Sequence, residues 1–270
     1  MAEMNYQTIL VEKEDGLTTV TFNRPDKRNA MNPQLHRDMY SVLNELRYDK
    51  DTRVIVLTGA GPSFCAGQDM KQYLAEMDTM TESARDEIRR ISNVWRNELI
   101  RTLPQPVIAS IKGWCVGGAF TIVTACDVAL AAEDATFCLT EVNFGVLPGG
   151  ELTNVLTEHL HPKHALFYAL TGQAFAAKEA ERIGLITKAV ASADLEKETL
   201  AVAKNLIEKD PVALRAIKEA WYYTFYSGPA VAYEISGLLS QRVTARGRQG
   251  IQQFAEKQYR PGLGAYKWEK

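Results

Sequence analysis

The sequence predicts an α/β protein with a helical C-terminal region, on three observations. Short apolar runs such as Val54-Ile55-Val56-Leu57 and Val107-Ile108-Ala109-Ser110-Ile111 read as buried strands, and they alternate with amphipathic helical patterns. From Pro162 onward the pattern becomes mostly helical. Glycine turns at Ala66-Gly67-Gln68-Asp69 and Gly117-Gly118 interrupt the alternating part where strands should give way to helices.

The elements follow in order. Thr8 to Val11 and Thr18 to Phe22 are β-rich runs around Glu14-Asp15-Gly16, the signature of a hairpin. Arg24-Pro25-Asp26-Lys27-Arg28-Asn29 ends it. Pro33 suits a first helical turn, and Met31, Leu35, Met39, Val42, Leu43 and Leu46 recur largely at spacings of three and four. After the strand ending at Leu57, Thr58-Gly59-Ala60-Gly61-Pro62 disfavours helix, and a long helix is expected from about Thr81 to Arg101, closed by Pro104 and Pro106. The small apolar run after Gly117 predicts a buried helix through Ala125, and Val128-Ala129-Leu130 returns to strand. Later helices are expected to end near Gly184, to span Asp194 to Glu208 and to start at Asp210-Pro211. Ser227-Gly228-Pro229 breaks that last one, and Gly247 to Gly250 precedes a final helix carrying Ile251 and Phe254. A boundary is therefore expected between residues 190 and 200, dividing a main body of residues 1–195 from a helical region of residues 196–270. The aromatic residues of that region, Trp221, Tyr222, Tyr223, Phe225, Tyr226 and Tyr233, are expected to pack on the body or on another subunit.

At 270 residues and 46% hydrophobic, the chain can bury a sizeable core. Lys and Arg number 31 against 33 Asp and Glu with no basic block, so nothing points to nucleic acid or an anionic membrane as partner. Cys65, Cys115, Cys126 and Cys138 are too scattered for a zinc knuckle or disulfide framework and read as buried reduced thiols. The N-terminus lacks a secretory pattern and no run is apolar over a membrane-spanning length. A soluble cytoplasmic protein is the expectation.

The chemistry centres on Gly117-Gly118 and Glu141. Glycines lack Cβ and accept positive φ, so a strand-to-helix turn through Gly117-Gly118 can bring an N–H close to a ligand. A second donor from Ala66-Gly67-Gln68-Asp69 would complete a pair able to stabilise an enolate oxygen, an interaction worth roughly 2.7 to 4 kcal/mol per donor. Either turn alone is equally a packing device. Glu141 stands among Val142, Phe144 and Val146, where desolvation would raise its pKa towards useful proton exchange; a helix cap or salt bridge is the competing role. Asp69 reads first as a helix cap, and Tyr73 as either a phenol for a polar substrate end or a core residue. His159, His161 and His164 lack acidic or thiol partners at metal-site spacing, so no metal is expected. Cys115 and Cys126 have no base partner for nucleophilic work.

At these residues the chain resembles the crotonase, or enoyl-CoA hydratase/isomerase, superfamily. The resemblance runs from Thr18-Thr19-Val20-Thr21-Phe22 through Asn23-Arg24-Pro25, Ala66-Gly67-Gln68-Asp69, Gly117-Gly118 and Glu141 into the helical tail. It implies repeated ββα units forming a spiral core, with a C-terminal helical region for trimerisation. Within the superfamily the chain looks most like the hydroxycinnamoyl-CoA (feruloyl-CoA) hydratase-lyases, on Gly113-Trp114-Cys115-Val116-Gly117-Gly118, the surroundings of Tyr73 and Glu141, and Pro261-Gly262-Leu263-Gly264-Ala265-Tyr266-Lys267. That resemblance implies Gln68 and Gly118 as backbone oxyanion donors and Glu141 as the retained acid/base. Thr121 falls where two-glutamate hydratases carry another glutamate and the lyases a serine, which argues against a standard two-acid hydratase; orienting water, substrate or Glu141, or plain helix packing, are its open roles. Tyr73 matches one phenol-binding tyrosine, Tyr233 or Ile235 falls at the other, and Phe144 replaces a tryptophan of the aromatic pocket. Lys27, Arg28, Ala66 and Gln68 match the CoA-binding segments. The implied substrate is a 4-hydroxycinnamoyl-CoA, with CoA carried by the thioester and no separate cofactor, and the implied assembly is a homotrimer or a dimer of trimers.

Overall fold

The computed structural model describes residues 6–149, 156, 158–240 and 245–256. Strands β1 (Ile9–Glu14) and β2 (Leu17–Phe22) form the expected antiparallel hairpin, in register from Ile9↔Phe22 to Glu14↔Leu17. Asp15 and Gly16 take φ of 47° and 85°, the left-handed pair whose twist matches that of the strands. Helix α1 (Pro33–Leu46) starts where the Asn32 side chain accepts the Leu35 N–H. Its buried stripe includes Leu35, Met39, Val42, Leu43 and Leu46, the set the spacing predicts.

Two sheets organise the body. The larger runs β1-β2-β3-β4-β6-β9, with β3 (Val54–Gly59), β4 (Val107–Ile111), β6 (Val128–Ala132) and β9 (Lys188–Val190), and every pair after the hairpin is parallel. All five residues of β4 are buried, which is why its sequence shows no alternation. The smaller sheet runs β5-β7-β8, with β5 (Trp114–Val116), β7 (Thr136–Cys138) and β8 (Phe175–Ala176). β4 passes into β5, and β6 into β7, across a few residues, so each repeat gives one strand to each sheet before a helix returns the chain. The loop after β3 joins the smaller sheet through a Cys65↔Cys115 bridge.

Helix α2 (Glu82–Asn93) begins at the Thr81 cap, but the single helix expected to Arg101 is not regular. A wide π turn, Val94–Leu99, separates it from the short α3 (Ile100–Thr102). Trp95 and Arg96 are both buried there although adjacent in sequence. Such a turn breaks the 3.6-residue period on which the sequence reading relied. Helix α4 (Ala119–Ala125) is buried at every residue.

After α5 (Pro162–Thr171) and α6 (Ala177–Arg182), helix α7 (Leu195–Ile207) places Leu195, Val202 and Ala203 in the same core as β3, β4 and β6. The body sharing one core therefore continues past the expected 195/196 division. Helix α8 (Pro211–Tyr226), capped by Asp210, is tied down by Lys218 Nζ, which donates to Asp127 Oδ2 at 2.7 Å and to the Ile100 and Gln105 carbonyls. Gly228 at φ 75° then turns the chain into α9 (Pro229–Ser240). The last helix, α10 (Ala245–Ala255), includes Gly247 and Gly250 instead of following them; a glycine inside a helix costs only about 1 kcal/mol. The segment from Pro261 to Lys267 lies outside the described residues. Among those described, no helix is long and apolar enough to cross a membrane.

Gly113 is the tightest backbone contact in this frame: at φ 55°, a Cβ added there would lie 1.9 Å from the Pro62 carbonyl oxygen. Gly113→Ala should destabilise the fold by about 2–4 kcal/mol, read as a lowered midpoint in urea unfolding with the slope unchanged.

Candidate active site

The site begins as a backbone arrangement. Met31 N–H donates to the Gly67 carbonyl at 2.7 Å and Asp69 N–H donates to the Met31 carbonyl at 2.9 Å, the pattern of a parallel bridge between Met31 and Gln68. In that pattern Gln68 directs its own N–H away from Met31, and among the described backbone hydrogen bonds it has no acceptor. Cys65 N–H donates to the Trp114 carbonyl and Val116 N–H to the Cys65 carbonyl, fastening this loop to β5. Gly117 N–H is spent on the Cys138 carbonyl, whereas Gly118, the first residue before α4, has an amide with no described acceptor. A Cβ added to Gly67 would lie 2.8 Å from the Val116 oxygen and 3.6 Å from the Gly118 nitrogen. Two uncommitted amides are thus brought side by side.

Glu141 meets the same turn. It lies in a short 3-10 helix, Glu141–Phe144, just past β7. A Cβ on Gly117, which has φ 51°, would lie 2.6 Å from Glu141 Oε1. Only glycine leaves room for the carboxylate against the backbone. Glu141 Oε2 is buried with no hydrogen-bond partner among the described residues. Burial pushes its pKa above the ordinary glutamate value, partly opposed by a hydrogen bond from its own backbone N–H. A carboxyl group so placed exchanges protons more readily near neutral pH and has a free oxygen to do it with.

Thr121 is not aimed at that space. Its side chain is fully buried, its hydroxyl donates to the Gly118 carbonyl at 2.7 Å, and it accepts from Arg96 Nη1 at 3.0 Å. Of the roles left open for it, the geometry favours packing and support of the Gly118 turn. Arg96 itself donates to the Gly118 carbonyl at 3.2 Å and to Ser92 through both Nε and Nη2. Sequence reading missed this buried arginine, because it stands beside Asn93, Asn97, Glu98 and Arg101 in a segment that reads as polar.

The remaining expected residues divide by position. Tyr73 follows the Asp69 cap and packs against His36 with ring centroids 4.9 Å apart. Tyr233 is 81% exposed on α9 and Phe144 60% exposed beside Glu141; none of the described ring contacts joins either to Tyr73. Lys27 and Arg28 are exposed, Lys27 beside Asp26 at 3.9 Å, and the Arg28 carbonyl accepts the Ala66 N–H at 2.9 Å. That bond brings both expected CoA-binding segments to one edge. Asp69 takes its structural role: it accepts from the Lys71 and Gln72 amides and pairs with Arg24 at 3.0 Å. Burial would raise its pKa, but the Gln72 and Arg24 hydrogen bonds outweigh this and hold it low. Burial pushes the Cys65 thiol up to about 12 and Cys115 well above its ordinary value, so neither supplies a thiolate nucleophile.

Residues 12–261 match the family model described as enoyl-CoA hydratase/isomerase. The chain belongs to the enoyl-CoA hydratase/isomerase family. A hydroxycinnamoyl-CoA hydratase-lyase of Pseudomonas fluorescens is 40% identical over 98% of both chains. Among solved structures, an enoyl-CoA hydratase from Bacillus anthracis superposes with a TM-score of 0.85 at 29% identity, covering 93% of this chain and 97% of that one. An enoyl-CoA hydratase of Mycobacterium smegmatis gives 0.86 at 26%, covering 93% and 97%. The fold is the crotonase fold, and the protein is an enzyme of the crotonase type.

Since Gly117 makes room for Glu141, Gly117→Ala should displace the carboxylate and lower kcat by about 10²-fold or more, the scale of a lost general acid/base. Steady-state kinetics on an enoyl-CoA, with a thermal melt to verify folding, would test it.

Proposed function

We propose that this protein is a hydroxycinnamoyl-CoA hydratase-lyase, converting a 4-hydroxycinnamoyl-CoA and water into an aromatic aldehyde and acetyl-CoA. The observation that carries the reading is Glu141, a carboxylate with a buried, unpartnered oxygen against the Gly117-Gly118 turn, combined with a hydroxyl at position 121 committed to Arg96 and Gly118. One acid/base beside two free amides suits a reaction in which a single group shuttles protons. The 40% identity to a hydratase-lyase supports the same choice.

In the proposed sequence, the thioester oxygen accepts from the Gln68 and Gly118 amides. Glu141 takes a proton from water as its oxygen bonds to Cβ, and the electron pair of the double bond moves through Cα onto the thioester oxygen as an enolate. Protonated Glu141 returns the proton to Cα. Removal of the β-hydroxyl proton then breaks the Cα–Cβ bond, the pair again passing to the thioester as an enolate, and protonation at Cα yields acetyl-CoA beside the aldehyde. Electron release from a para-hydroxyl assists at Cβ, and Tyr73 is the group we assign to bind that phenol, with Tyr233 as its partner and Phe144 lining the aromatic pocket. Lys27, Arg28 and the backbone at Ala66 and Gln68 are assigned to the CoA arm. No cofactor beyond the CoA of the substrate is required, and the assembly we infer is a homotrimer or a dimer of trimers.

A second reading, simple enoyl-CoA hydration or isomerisation, is favoured by the exposed position of Tyr233. Product analysis separates the two. Feruloyl-CoA should give equal amounts of acetyl-CoA and the substituted benzaldehyde, with crotonyl-CoA and a substrate lacking the para-hydroxyl far slower; accumulation of the hydrated thioester alone would rule out cleavage.

Glu141→Gln should lower turnover by about 10²- to 10⁴-fold while leaving CoA binding near that of the unaltered protein. The same change should stabilise the fold. The pKa of Glu141 is raised in the folded protein, so folding favours its neutral form, and that advantage is lost as pH rises through the folded value. Above it the charged carboxylate penalises the native state, a penalty the amide avoids. The Glu141→Gln variant should therefore melt higher than the unaltered protein at about pH 7 to 8, with the difference vanishing below the ordinary glutamate pKa. Equal melting differences at both pH values contradict the burial argument.

A further inference from the structure

His36 lies on α1, fully buried, and belongs to no part of the chemistry derived so far. Its two ring nitrogens have different neighbours. Trp95 Nε1–H, which can only donate, lies 2.9 Å from His36 Nδ1. Nδ1 must therefore be the accepting nitrogen. In a neutral ring the proton is then on Nε2, which lies 2.9 Å from the Gln68 side chain. Gln68 has to present its carbonyl oxygen Oε1 to that N–H, because its NH₂ group would meet a second donor. Nothing is left to choice along the chain: an indole donor fixes the imidazole tautomer, and the tautomer fixes the direction of the carboxamide.

Burial, with the nearby Arg96 charge, holds the His36 pKa down at about 3. The ring stays neutral throughout ordinary pH, so the direction is permanent. Gln68 Nε2 is the end left over, without an acceptor among the described hydrogen bonds. The Gln68 Cγ lies 3.6 Å from where a Cβ on Gly118 would stand, so this side chain packs beside the Gly118 turn whose amide has no described acceptor. Tyr73 packs against the same imidazole.

We propose that His36, oriented by Trp95, is a positioning residue that locks the Gln68 carboxamide so that its NH₂ end is offered to the acyl thioester beside the backbone donors. The proposal rests on the reading of Gln68 and Gly118 as thioester donors, and it adds a third, side-chain donor whose aim is set two residues away from the substrate. The carboxamide donates only, moves no proton, and its hydrogen bond strengthens as the thioester oxygen gains charge.

A double-mutant cycle tests it. His36→Leu and Gln68→Leu should each lower kcat about tenfold with KM changed less than about twofold, and the double variant should be no slower than either alone, since one residue acts through the other. His36→Gln, able to accept from Trp95 and donate to Gln68, should recover most of the loss. Additive effects in the double variant, or no loss on Gln68→Leu, overturn the proposal. Two measurements do not depend on turnover, and they separate its failure from failure of the proposed reaction. Nitrogen NMR of the free protein should show a neutral Nε2–H imidazole with no titration between about pH 5 and 9; an Nδ1–H form or a charged ring overturns it. The same cycle run on the affinity of an unreactive acyl-CoA analogue that carries enolate charge on its thioester oxygen should show the same non-additivity, and additive losses there overturn it even in a protein that cleaves feruloyl-CoA.

Discussion

The site depends on one close approach, that of the Glu141 carboxylate to the Gly117 backbone. With a hypothetical Cβ only 2.6 Å from Oε1, the carboxylate occupies volume that any side chain at 117 would take. Two consequences follow from the same contact. The turn can take φ 51° and leave the Gly118 amide at the mouth of α4, and the carboxylate is held in a partly dry position where its charged form is disfavoured. In the proposed reaction an acid/base that both takes and gives a proton benefits from that bias, because among the described residues no salt bridge holds Glu141 in its charged form.

The Gly118 turn is supported from behind by Arg96. Its guanidinium bonds the Gly118 carbonyl and the Thr121 hydroxyl, while that hydroxyl bonds the same carbonyl. Two donors converge on one peptide oxygen and are themselves joined, and a carbonyl held in this way does not rotate to bring its neighbouring amide out of line. The π turn at Val94–Leu99 carries Arg96 and Trp95, and both point inward, one to Gly118 and the other to His36. An irregular turn thus sits behind both of the residues whose amides are free, as preorganisation requires of a supporting shell.

Much of this was legible because the physics is local. The hairpin at Asp15-Gly16, the cap and stripe of α1, the buried run of β4 and the glycines at 67 and 117 all write their geometry into a few consecutive residues. What was not legible is long-range. Nothing near Thr121 in the sequence reveals that its hydroxyl would be taken by an arginine 25 residues earlier, so a hydroxyl read as a possible catalytic group became a fastening. The π turn hid Arg96 in the same way: the 3.6-residue period that reads a helix face from sequence fails where the period itself changes. His36 carries no signal of its own in the sequence, since the group that orients it is a tryptophan 59 residues away.

The candidate site and the helical aromatics differ in how firmly the chain holds them, as the exposure pattern shows. The candidate site is closed by the chain's own backbone: Gln68, Gly118 and Glu141 are fixed by β5, β7 and the loop that bridges them. Several large apolar side chains outside it are held differently. Phe144 and Leu147 beyond Glu141, and Trp221 and Tyr233 on α8 and α9, are exposed by 60%, 80%, 70% and 81%. Apolar surface of that extent gains free energy when it is covered, at about 25 cal/mol for each Å² removed from water. Oriented amides and a desolvated carboxylate are therefore built into the sheet-anchored core, whereas these aromatic side chains stand on the surface of the single chain. The proposed chemistry therefore rests on the sheet-anchored amides and carboxylate, which backbone contacts hold in place, and not on the exposed helical aromatics.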